Sequence, residues 1–147
     1  MHSQIYVNLP VKDLERSKRF FAALGYSFDA RFTNEMAAGM QLGKNLYAML
    51  LNEPFFAGFT PKPIADAHAC TEVLIALPCE SRAAVDALVA KAREAGARIP
   101  REPVDHGFMY QHGYEDPDGH IWEAFWMDPA AAPAQGDAAS SPEGGSA

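Results

Sequence analysis

The chain has 147 residues, of which 48% are hydrophobic and 21% charged, and it carries a net charge of −7 at neutral pH. That balance fits one folded domain with a core of its own, and it offers no Lys/Arg cluster to neutralise nucleic-acid phosphates. No segment reaches the roughly 20 apolar residues needed to cross a bilayer, the N-terminal MHSQIYVNLP has no basic-then-apolar leader pattern, and Cys70 and Cys79 are too few for a disulfide scaffold, so a cytoplasmic protein with no membrane partner is expected.

Read in chain order, IYVNLPV at 5–11 is a strand, rich in β-branched residues and closing near a proline that cannot donate to a ladder. A helix follows, capped by Asp13, carrying Leu14, Phe20, Phe21 and Leu24 and ending at Gly25 as a C′ glycine. Then YSFDARF, MAAGMQLG and NLYAMLL read as three strands, with turns at Thr33-Asn34 and Gly43-Lys44-Asn45. The stretch NEPFFAGFTPKPIADAHAC has no periodicity. A connection that long is expected to be a lid, a binding loop or an interface arm, with Phe55, Phe56 and Phe59 as its apolar grip.

Then the pattern starts again. VLIALPC at 73–79 aligns with IYVNLPV without a gap, matching Ile5 with Val73, Val7 with Ile75, Leu9 with Leu77 and Pro10 with Pro78. A second helix opens at Ser81, places Val85, Leu88, Val89 and Ala92 at helical spacing and ends at Gly96. ARIPREP, GFMYQHGYE and HIWEAFWM follow as strands, with turns at Asp105-His106-Gly107 and Asp116-Pro117-Asp118-Gly119. The chain is therefore an α+β domain of two βαβββ modules, neither able to cover its own sheet, sharing one core. Module one spans about 3–52, the connecting loop 53–70 and module two about 71–128, in a single domain over 1–128. The Ala/Pro/Gly/Ser-rich stretch 129–147 is expected to be a disordered tail.

LPVKDLERSKRFFAALGY and EDPDGHIWEAFWMD, at this spacing and with the duplication, resemble the vicinal oxygen chelate superfamily, which includes glyoxalase I, bleomycin-resistance proteins and extradiol ring-cleavage dioxygenases. The resemblance covers the whole folded unit. It implies that the modules pair into a cupped, open eight-stranded mixed barrel with a small-molecule pocket on the concave face, and that the chain forms a homodimer. In metal-dependent members a divalent ion sits in the cup, held by the first and last strand of each module, and activates a substrate with adjacent oxygens.

Carried over position by position, those ligand sites fall on Tyr6, Leu74, Met49 and Glu123, of which only Glu123 is a family ligand. A phenol, a thioether and a leucine beside one carboxylate do not make a first-row metal site. Two readings remain open. One is a binding protein without the four-ligand metal site, in which Tyr6, Asn8, Met49 and Leu74 line the pocket. The other is a metal-dependent lyase, isomerase or dioxygenase using Glu123 as metal ligand or base with His112 as acid/base partner and a rearranged ligand set. Alternation puts Phe108, Tyr110 and His112 on one strand face and Met109, Gln111 and Gly113 on the other. Tyr110 and the turn residue His106 are further ligand-binding candidates.

Overall fold

The computed structural model describes residues 1–131; from residue 132 onward the expected tail lies outside the described residues. Strands β1 (Ile5–Val11), β2 (Ser27–Asp29), β3 (Ala37–Gly43) and β4 (Leu46–Asn52) form one mixed sheet in the order β1-β4-β3-β2. Strands β5 (Leu74–Pro78), β6 (Val104–Asp105), β7 (Met109–Glu115) and β8 (Ile121–Met127) form a second in the matching order β5-β8-β7-β6. In each, the outermost opening strand pairs parallel with the closing strand and the rest is antiparallel. The repeat read from the sequence is thus a repeat of topology. No ladder joins the two sheets among the described residues, so the eight strands form an open barrel rather than a closed one.

Helix α1 (Leu14–Ala23) starts where Asp13 accepts from the Arg16 backbone N–H at 3.1 Å, and α3 (Arg82–Glu94) where Ser81 accepts from that of Ala84 at 3.0 Å. These caps satisfy N–H groups that the first turn leaves orphaned. Three segments differ from the sequence reading, the first being the end of YSFDARF, where Ala30–Phe32 forms a 3-10 turn instead of continuing the strand. The connector opens with a short helix, α2 (Glu53–Ala57), capped by Asn52 with Pro54 in its first turn. ARIPREP is not a strand: it makes a single bridge, Arg98 to Glu115, because Pro100 and Pro103 have no N–H to donate, and only Val104–Asp105 pairs after it.

The core is common to both modules. The α1 face of Phe20, Phe21 and Leu24 packs on Ala38, Met40, Ala48 and Leu50 of its own sheet. It also reaches across, with Phe21 meeting Trp122 at a centroid distance of 5.1 Å and Phe20 meeting Tyr114 at 6.0 Å. Trp122 sits on the convex face, as the alternation of β8 requires. Burial pushes the Tyr114 phenol well above its usual value.

The DPDG turn fastens the halves together with buried polar contacts. The carboxylate of Asp118 accepts from the Lys12 backbone N–H at 2.9 Å and the Ser17 hydroxyl at 3.2 Å, and the His120 ring bonds the Pro10 carbonyl at 2.7 Å. Asp116 holds the turn itself, accepting from the Asp118 and His120 N–H groups and from the Trp122 indole. Its burial raises the carboxyl pKa, an effect that nearby His120 opposes. A turn so bonded to Pro10, Lys12 and Ser17 is the joint between modules. No helix among the described residues is long and apolar enough to cross a membrane.

Candidate functional site

Side chains on the concave face of each sheet follow from strand alternation and register. On sheet one the central row is Asn8–Met49–Gly39, and one pair further along lie Tyr6 and Tyr47. On sheet two the equivalent row is Ala76–Glu123–Gly113, flanked along β8 by Ile121 and Phe125. The two rows share a glycine on the third strand and differ in what lies above it.

In module one that space is filled. Asp29 accepts from the Arg31 backbone and grips its guanidinium at 2.7 Å, and Thr33 bonds the Asp29 carbonyl and the Gly39 N–H, which together fold residues 30–32 into a 3-10 turn over the sheet. Arg31 holds the Asp29 carboxyl below the usual carboxylate range. Phe32 then lies directly on Gly39. A Cβ at position 39 would come within 2.7 Å of the Phe32 Cβ, closer than any real contact, and Met49 sulfur sits beside the same spot at 3.5 Å. Tyr6 stacks on Tyr47 at 4.9 Å and 7°, with Phe32 edge-on to both, and its hydroxyl donates to Gln4. Tyr6 and Met49 are therefore parts of a packed aromatic plug.

In module two the space stays open. A cleft of about 310 Å³ rises over Glu123 and Gly113, bordered by Leu74, Gln111, Ile121 and the polar rim of Arg101 and Glu102. Glu123 is half-buried and takes part in none of the ion pairs among the described residues. Its cross-strand neighbours Ala76 and Gly113 are among the smallest residues, so nothing on the sheet covers its carboxylate. A second cleft, of about 290 Å³, lies beneath the connector and contains Asn8, Pro10, Phe56 and Ile64. The connector can lie there because Gly119 has φ +91° and no side chain: a Cβ would meet the backbone of Ala67 and His68 at 2.8 Å.

The sequence-derived candidates thus separate. Glu123 and Leu74 share the module-two cleft, Asn8 lines the connector cleft, and Tyr6 and Met49 belong to the module-one plug. His112 borders the same cleft as Glu123, whereas Tyr110 lines neither cleft. They pair with Ala124 and Trp126, one residue out of phase with the Glu123–Gly113 pair, and Tyr110 reaches α3. The His112 ring is tied to the Arg101 carbonyl at 3.1 Å at the edge of the cleft, and the Tyr110 hydroxyl donates to Asp86 at 2.6 Å, a bond that raises its pKa. His106 stacks on Phe108 in its turn, away from both clefts. Alternation carried the phase of β7 correctly, and pairing across to β8 was the step that sequence could not supply. It likewise missed Phe32 and Tyr47, although Tyr47 is two residues from Met49 and so shares its face, and it missed Thr71, which has no pattern to announce it.

The four ligand positions do not fit a divalent metal. Tyr6 stacks on Tyr47 and Met49 lies against Gly39 in one module, Leu74 has no donor atom, and Glu123 lies on the other sheet. No group of three or more His, Cys, Asp or Glu side chains is placed to hold a metal ion among the described residues.

Two βαβββ modules with a shared convex core, a DPDG joint and clefts on the concave faces define a paired-module, glyoxalase-like protein. Residues 3–124 match the Glyoxalase/Bleomycin resistance protein/Dioxygenase superfamily, and the chain belongs to that family. No protein of curated function matches it. Among solved structures, a hypothetical protein from S. aureus is similar at 28% identity and a TM-score of 0.74, over 86% of this chain and 95% of that one. TnmS3, an antibiotic binding protein from Streptomyces sp. CB03234, is similar at 19% and 0.61, over 86% and 97%. Lactoylglutathione lyase from Agrobacterium tumefaciens is similar at 14% and 0.64, over 86% and 94%. At such identities the last two share the fold alone, and the fold carries both binding and catalysis.

Proposed function

We propose that this chain binds a small organic molecule in the module-two cleft around Glu123, without the four-ligand metal site of the family's metal-dependent members. The observation that carries this reading is the contrast between the two equivalent rows: Phe32 closes the one around Met49, whereas the one around Glu123 is left open, with its carboxylate in no ion pair among the described residues. A half-buried carboxylate in an apolar strand is costly unless something pairs with it, and a ligand donor or cation in the cleft supplies that partner. Binding of an antibiotic by TnmS3 shows that this architecture serves such a role elsewhere. A homodimer is part of the same proposal, supported by Leu74 and Tyr6, which are 53% and 42% exposed in the single chain and which a second copy would cover.

The test is metal analysis of the purified protein with thermal shifts in Ni²⁺, Fe²⁺, Mn²⁺ and Zn²⁺, on the native chain and on Glu123→Gln. The expected result is no stoichiometric metal and equal shifts in both proteins. Stoichiometric metal that is lost in Glu123→Gln would overturn the metal-independent reading.

A further inference from the structure

The Glu123 cleft and the connector cleft have a wall in common, made of Thr71 and Ile121. Ile121 precedes Glu123 by two residues on the same sheet face, which puts it about 7 Å along β8 from the carboxylate row. Thr71 comes from the exposed last stretch of the connector, just ahead of β5. The partition is thus one strand side chain facing one loop side chain, with an open cleft on either side.

The two clefts differ in character. The Glu123 side carries two carboxylates, Glu102 and Glu123, against one guanidinium, Arg101, with the His112 ring at its border, and its formal charges sum negative. The connector side carries Lys62 and Glu72, which cancel, around mainly apolar walls such as Pro10, Phe56, Ile64 and Val73. A molecule that occupies both needs a cationic head at one end and an apolar body at the other.

We infer that Thr71 and Ile121 are specificity-determining residues that set ligand length, and that the site takes an elongated amphipathic amine, its ammonium on Glu123 and its tail passing the partition into the connector cleft. This inference rests on the Glu123 cleft being the binding site. Each methylene buried beyond Ile121 should strengthen binding about fourfold, whereas a tail too short to reach the partition gains nothing from the second cleft.

Calorimetric titration of the full chain with butyl-, hexyl-, octyl- and decylamine, and with the alkanoates of matching length, tests it. Affinity is expected to rise with amine length and not with alkanoate length. Glu123→Gln should lower affinity across the amine series. Thr71→Trp, at an exposed loop position where folding is not at stake, should flatten the series within that variant, so that decylamine binds no more tightly than butylamine whatever the absolute affinity, and Ile121→Ala should preserve or extend the gain with length. A length dependence untouched by Thr71→Trp, or no length dependence at all, overturns the partition while Glu123-sensitive amine binding leaves the cleft reading standing. Amine binding that Glu123→Gln does not change, or an absence of binding, overturns the inference together with the reading it rests on.

Discussion

Gly119→Ala should loosen the connector and destabilise the whole domain, and the size of the effect follows from two separable costs. The first is conformational. Gly119 has φ +91°, where an L side chain costs about 1–2 kcal/mol. The second is steric: the new Cβ would stand 2.8 Å from the Ala67 carbonyl carbon and the His68 nitrogen, both backbone atoms that cannot swing aside, so the connector must lift at an overpacking cost of about 1–3 kcal/mol. The sum is roughly 2–5 kcal/mol. Gly96→Ala is the internal control, because Gly96 has φ +100° with no atom within 4 Å of its Cβ position and so bears the conformational cost alone. Urea unfolding of both variants measures the difference. Limited proteolysis between residues 58 and 70 should also accelerate in Gly119→Ala and stay unchanged in Gly96→Ala. Equal losses in the two variants, with equal protease resistance, would refute the close approach of the connector to the DPDG turn.

Three further outcomes follow from the shared core and its joint. Phe21→Ala removes a fully buried ring that touches both modules, and should cost about 3–5 kcal/mol in a single unfolding transition; two separated transitions would show that the modules do not share a core. Asp118→Ala strands the Lys12 N–H and the Ser17 hydroxyl, with an expected loss of about 2–4 kcal/mol by chemical denaturation, and Asp118→Asn should recover part of it by keeping one acceptor oxygen. Tyr110→Phe should leave ligand binding in the Glu123 cleft unaltered, since the phenol bonds Asp86 on the opposite face; a loss of affinity, read by calorimetry, would contradict that placement.

Most of the architecture was legible because it is written in local signals. Asp13 and Ser81 are caps, Gly25 and Gly96 end their helices, and period-2 alternation gives strand faces without knowledge of any partner. The repeat did more, since aligning IYVNLPV with VLIALPC already matched Tyr6 with Leu74, positions that the two sheets hold in equivalent places. What sequence withheld depends on contacts between segments far apart or on competition within one segment. ARIPREP looks like a strand until its two prolines deny it donors. The residue directly across from Glu123 is Gly113, with His112 one step along at the border of the same cleft, a detail of register that only the pairing of β7 with β8 supplies. Phe32 reads as the last residue of the strand YSFDARF, because only the fold turns it down onto Gly39.

That last contact closes one of two equivalent rows, and it can be tested by undoing it. The rows Asn8–Met49–Gly39 and Ala76–Glu123–Gly113 are related by the repeat, and the third-strand glycine leaves room above each. Duplication would therefore make two clefts, and Phe32 removes one of them. Phe32→Ala should restore it. The residue is 38% exposed, so the loss of stability should be milder than for a core phenylalanine, about 1–3 kcal/mol. The variant would expose Met49 and Tyr47 in an apolar hollow with no carboxylate, and it should gain a binding site for an apolar fluorescent probe that the native chain lacks. That new site should be indifferent to Glu123→Gln, because Glu123 lies on the other sheet. A probe signal that disappears on Glu123→Gln would mean that Phe32 guards the module-two cleft, and the plug would then be a lid.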